Sequence, residues 1–179
     1  MRTVVGLLLC LCSTHTLALQ LQTLEVSRDD TVYHVVVDVL IEAAPERVRA
    51  RLLDVSALPQ LDPSLKSARA TEEAGGMRVE SELEECLFGI CRRLFHVQQV
   101  VAVGNEITAQ TLAVQGSSFR SGVAHWQLTA EGAGTRLLFT ADTEPDVWLP
   151  PFIGPSALMR QLKVKTLASL QNLERLARE

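Results

Sequence analysis

Cys86 and Cys91 are the pair whose spacing most directly suggests chemistry. They flank Leu87-Phe88-Gly89-Ile90, where two strand patterns meet, and a turn there brings two thiols within reach of a disulfide. The spacing is not Cys-x-x-Cys, which favours a structural bond over a redox-active one. A metal site is the rival reading, and no third cysteine or neighbouring histidine supplies the rest of a ligand set. His34, His96 and His125 show no helical metal-ligand spacing, and no His-Glu-x-x-His occurs. Each reads as a surface or hydrogen-bonded residue before it reads as a general base. His125 neighbours Trp126, and strand alternation puts one of the two inside, the more apolar Trp126. Glu80, Glu82 and Glu84 alternate along one strand. Paired carboxylates do acid–base work when their environments differ, but this repeat places like charges on one solvated face. Of Arg92 and Arg93, one must point outward. No Gly-x-Ser-x-Gly elbow, Ser/His/Asp trio or phosphate-binding glycine loop is present. The sequence therefore assigns no catalytic residue, no metal and no cofactor.

The chain has 179 residues and a formal charge of -4. Mild acidity argues against nucleic acid, which needs a basic face. Met1-Arg2 precedes an apolar run, Val4 to Cys12, too short to span a membrane. Thr16-Leu17-Ala18 then sets small residues at a cleavage site. Residues 1–18 read as a secretory signal peptide, and residues 19–179 as one domain. The expected location is periplasmic or secreted, where a Cys86–Cys91 disulfide persists. No second apolar run reaches membrane-spanning length, and transient membrane contact stays open.

The elements that must position these residues follow from periodicity. Residues 21–26 suggest a short edge strand. Residues 31–42 are rich in β-branched residues and alternate, the signature of a strand. Ala44-Pro45-Glu46 opens a helix, with proline in its first turn and an acid at its positive end. Val48, Leu52 and Leu53 give it an apolar side, and a second short helix or turn covers 56–60. Strands are expected near 65–72, 76–86, 91–102, 106–114, 119–130 and 134–143, punctuated by glycine-rich turns. Residues 142–151 form a proline-rich crossing. A helix then runs over about 156–177, roughly 33 Å at ~1.5 Å per residue. Met159, Leu162, Thr166, Leu170, Leu173 and Ala177 make its apolar stripe. Arg160, Lys163, Lys165, Gln171 and Glu174 lie mostly off that stripe.

Three stretches in this order carry a resemblance. They are VLIEAAPERVRARLLDVSALPQLDPSL, the strand series ending in GTRLLFTAD, and WLPPFIGPSALMRQLKVKTLASLQNLERLA. From about residue 30 to the end the chain resembles the SRPBCC (START-like) superfamily, and within it exported polyketide cyclase/dehydrase-like or coenzyme Q-binding-like proteins. The resemblance implies an α+β helix-grip fold, a curved antiparallel sheet wrapped around a long C-terminal helix. It also implies a cavity between the two for a small hydrophobic ligand. Trp126, Trp148, Phe152 and Met159 are the expected apolar contacts, and Arg120, His125 and His96 the expected polar ones. Trp148, Phe152 and Ile153 either gate the cavity mouth or simply seat the helix. Three functions stay open: a binding protein for a lipid, isoprenoid or polyketide-like molecule, a cyclase- or dehydratase-like enzyme, and an envelope interaction protein with a filled cavity.

Overall fold

Val35, Val37, Val39 and Ile41 are buried, and the residues between them are more exposed. This period of two is what a half-buried strand requires. The structure, a computed structural model, describes residues 19–87, 89–146 and 154–179. The expected signal peptide 1–18, and Trp148, Phe152 and Ile153, lie outside the described residues. The elements run β1 (Gln20–Asp29), β2 (Val32–Ile41), α1 (Pro45–Leu53), a 3-10 turn (Val55–Ala57) and α2 (Leu58–Leu61). Then come β3 (Leu65–Glu73), β4 (Gly76–Leu87), β5 (Ile90–Val103), β6 (Glu106–Thr111), β7 (Phe119–Glu131), β8 (Gly134–Pro145) and α3 (Pro155–Arg178).

Among the described residues the strands form one eight-stranded sheet in the order β1-β2-β8-β7-β6-β5-β4-β3. Every pairing is antiparallel. β3 to β8 form a meander, and β2 closes on β8 across the excursion made by α1 and α2. The fold is the α+β helix grip, with a curved sheet around α3. The Gly75-Gly76 turn shows why glycine is needed there: Gly76 has φ 150°, and a Cβ on it would lie 2.2 Å from the Val100 carbonyl oxygen.

Local chemistry sets the short helices. Pro45 stands in the first turn of α1 after an extended Ala44, and Val48 is fully buried beneath it. The Asp54 carboxylate accepts from the Ser56 amide at 3.1 Å and starts the 3-10 turn. Asp62 does the same for Ser64 at 2.8 Å, ending α2 and launching β3.

α3 packs against β1, α1 and α2. Leu170, Leu173, Leu176 and Ala177 are buried against Val37, Val39, Ile41, Val48 and Leu137. The dense core thus sits at the C-terminal half of α3.

Several boundaries differ from the sequence reading. β1 is longer than 21–26, because it pairs along the whole of β2. β6 stops at Thr111 rather than near 114. β8 continues through Pro145, a strand-end position that costs no interior ladder bond. Glu174 was expected on the polar side of α3 and is buried instead. Its carboxylate accepts from Arg178 at 2.9 Å and from the Glu42 amide at 3.4 Å, which compensates its loss of water.

Candidate functional site

Under the N-terminal half of α3 the sheet carries small residues. Ala109 faces Ala124 across β6 and β7, and Ala124 faces Ala141 across β7 and β8. The next row toward the core is Ile107, Trp126 and Phe139, all large. Leu158, Leu162 and Thr166 of α3 line the same space as Ala109 and Ala124. The result is a cavity of about 510 Å³. Ligand sites of roughly 300–1,000 Å³ are usual for small molecules. β4 contributes Val79 and Leu83, β5 contributes Leu94, His96, Gln98 and Val100, and β7 contributes Phe119, Ala124 and Trp126. The shared parity on β4 and on β5 is the alternation expected of one sheet face, and on β7 a bulge after Phe119 shifts the inner series to Ala124 and Trp126.

The walls are mainly aliphatic and aromatic, with Trp126 and Phe139 as a cross-strand ring pair 5.0 Å apart. Charge is gathered at one end. The Lys165 ammonium donates to the Glu85 carboxylate, tying α3 to β4, and Arg92 lines the same end. The Cys86–Cys91 disulfide is formed beside this cluster, between directly opposed residues of β4 and β5.

His96 is one of the polar groups lining the cavity away from that cluster. Its Nε2 lies 2.8 Å from the Thr111 hydroxyl, and its ring stacks on Phe119 with centroids 4.1 Å apart. Burial disfavours the imidazolium and pushes its pKa down to about 4. The ring is therefore neutral near pH 7 and a weak base, better suited to orienting a ligand than to taking its proton.

His96 and Trp126 are the expected site residues that the structure brings together on the cavity wall. Arg120 and His125 were expected there and lie instead on exposed faces. Arg120 donates to Asp146 at 2.8 Å and pairs with Glu144; these carboxylates raise its pKa. A bulge between Phe119 and Ser121 breaks the alternation that would have turned Arg120 inward, and Phe119 takes the inner place. His125 alternates with Trp126 and meets Thr108 on the outer face, Oγ1 to Nδ1 at 3.1 Å. Met159 is half-buried but does not line the cavity; Leu158 and Leu162 do. Trp148 and Phe152 lie outside the described residues.

Glu85 was not singled out in the sequence, Arg92 was read with Arg93 as a pair of which one points outward, and Lys165 was placed off the apolar stripe; all three line the cavity. Glu85 continues the inner series Val79, Ser81, Leu83, and Arg92 precedes Leu94 and His96 at the same parity. Parity was the available signal, and charge had argued for the opposite face. Among the described residues no group of three His, Cys, Asp or Glu side chains is placed to hold a metal ion, and no helix is long and apolar enough to cross a membrane.

The family described as polyketide cyclase / dehydrase and lipid transport matches residues 33–178. The chain belongs to that family. No curated protein sequence matches it. Solved structures of the START/SRPBCC superfamily share its fold. The Zhui aromatase/cyclase from Streptomyces sp. R1128 is 18% identical with a TM-score of 0.64, over 82% of this chain and 94% of that one. A START superfamily protein from Mycobacterium smegmatis is 20% identical with a TM-score of 0.61, over 80% and 98%. A STAR-related lipid transfer protein from Xanthomonas axonopodis is 14% identical with a TM-score of 0.60, over 87% and 99%. At these identities the likeness speaks for the fold.

Proposed function

We propose that this polyketide cyclase/dehydrase and lipid transport family member is an exported binding protein for a small hydrophobic ligand of lipid, isoprenoid or polyketide-like type. The observation that carries the reading is the open cavity of about 510 Å³ with its apolar wall. Burying an apolar ligand there gains about 25 cal/mol per Å² removed from water. The few inward polar groups set its orientation. Export rests on residues 1–18 and agrees with the disulfide. Transient contact with a membrane during uptake belongs to the same reading.

Native mass spectrometry of protein purified from its own compartment, followed by lipid extraction, tests it. The expected result is a one-to-one adduct on a chain that begins at Leu19. A ligand-free chain that takes up no apolar compound counts against binding, and an uncleaved cytosolic chain counts against export.

A second reading, a cyclase- or dehydratase-like enzyme, draws on the Glu85–Lys165 pair and His96 inside the cavity. Turnover of a bound compound that disappears in Glu85→Gln or His96→Phe would favour it. The third, an interaction protein with a filled interior, is disfavoured by the open cavity.

A further inference from the structure

His96 gives the cavity one polar atom whose character the fold fixes. Thr111 is buried, and its hydroxyl meets His96 Nε2 and no other acceptor among the described residues. A buried hydroxyl with an acceptor in reach uses it, because leaving the proton unpaired is costly. Thr111 therefore donates and Nε2 accepts. A neutral imidazole carries one N–H, so the proton is on Nδ1. The ring stays neutral because burial holds its pKa near 4. Nδ1 has no protein partner among the described residues, and no buried side-chain nitrogen or oxygen is left unsatisfied there. Nδ1 is therefore not sealed in protein, and because His96 lines the cavity its N–H is open to a ligand there.

Two neighbours hold this arrangement. Phe119 fixes the ring plane by stacking at 4.1 Å. Gly122 leaves the Thr111 hydroxyl its place, since a Cβ there would lie 2.7 Å from Thr111 Oγ1.

Building on the binding reading above, we propose that the cavity selects an uncharged apolar molecule bearing a carbonyl oxygen, which accepts the Nδ1–H of His96. A pure hydrocarbon leaves that donor unpaired. A carboxylate must leave water to meet a neutral ring that offers it no charge.

Fluorene and 9-fluorenone share a tricyclic skeleton and differ by one oxygen, so they isolate the contact. Titrated into the full chain, fluorenone is expected to bind about 3- to 10-fold more tightly, the worth of one neutral hydrogen bond. The carbonyl stretch of bound fluorenone should move to lower frequency. His96→Phe should abolish both effects, leaving fluorenone bound no more tightly than fluorene. Thr111→Val should weaken the preference, and Thr111→Ser should retain it. Nitrogen NMR of the wild type should place the ring proton on Nδ1, a readout that needs no variant to fold. Equal wild-type affinities overturn this inference and leave the binding reading standing. A proton on Nε2 also overturns it. Failure of both compounds to bind overturns the binding reading, and this inference falls with it.

Discussion

The two halves of α3 carry the same apolar stripe and do different things. In the C-terminal half Leu170, Leu173, Leu176 and Ala177 are buried in the core cluster beside α1, α2 and β1, with Leu170 and Leu173 also closing the inner end of the cavity. Polar contacts fasten it further: Arg51 donates to the Leu176 carbonyl at 2.9 Å, and Asn172 to the Leu61 carbonyl at 3.1 Å. In the N-terminal half Leu158, Leu162 and Thr166 are only half-buried and line the cavity together with Ala109 and Ala124. The Lys165–Glu85 pair is a polar link from that half to the sheet. An amphipathic stripe therefore says which side of a helix faces inward. Small side chains such as Ala109 and Ala124 on the opposing sheet leave room that close packing would otherwise fill.

The sharpest way to break this contrast is to truncate one leucine in each half. Leu173→Ala should lower unfolding free energy by about 2–5 kcal/mol, because tight contacts are lost and a hole is left. Leu162→Ala should cost roughly 1 kcal/mol or less, since one side of that residue already faces open space. Leu173→Asp should prevent folding, because its charge has no partner in the core. Denaturant melts of the variants check this, and equal costs at the two leucines would erase the distinction.

The cavity half should also respond to acid through His96. Unfolded, the imidazole takes its proton near pH 6.5; folded, only near 4. Between these values the unfolded chain binds more protons, so stability falls as pH drops through the window and is flat on either side. The His96 contribution is roughly 3 kcal/mol at most. His96→Phe should flatten that part of the stability–pH curve, and an unchanged slope would contradict the buried, neutral ring.

How far the sequence reached follows the same contrast. Alternation and glycine turns located the strands from 65 onward, and the helical stripe located α3, because backbone periodicity is written in local pattern. The cavity's polar lining was less legible. Arg120 was misplaced by a bulge, which no local pattern announced. Glu85 was passed over and Lys165 placed off the apolar stripe because a charge reads as solvent-facing until its partner, far away in sequence, is known. His96 was a candidate, but Thr111 and Gly122, which fix its role, meet it only through strand pairing.

Smaller effects sharpen the picture at the charged end. Replacing Cys86 and Cys91 by alanine should cost about 2 kcal/mol at most, because the closed loop is short. Thermal melts with and without reductant measure it, and loss of the whole fold would show that the hairpin supports more than the cavity's end. Lys165→Met should cost only about 1 kcal/mol, since the pair is partly solvated. Hydrogen exchange should then quicken in the first turns of α3 and not in residues 170–177. Quickening along the whole helix would argue that its two halves are one unit.

The most direct test of the open cavity is to fill it. Ala124→Phe places a ring in the small row beneath α3. Calorimetric titration of an apolar fluorophore should show one saturable site in the wild type and at least about 10-fold weaker binding in the variant, a change of about 1.4 kcal/mol. The variant's unfolding temperature should stay close to that of the wild type. Undiminished binding by a folded Ala124→Phe chain, or no binding by the wild type, would contradict a ligand cavity between the sheet and the N-terminal half of α3.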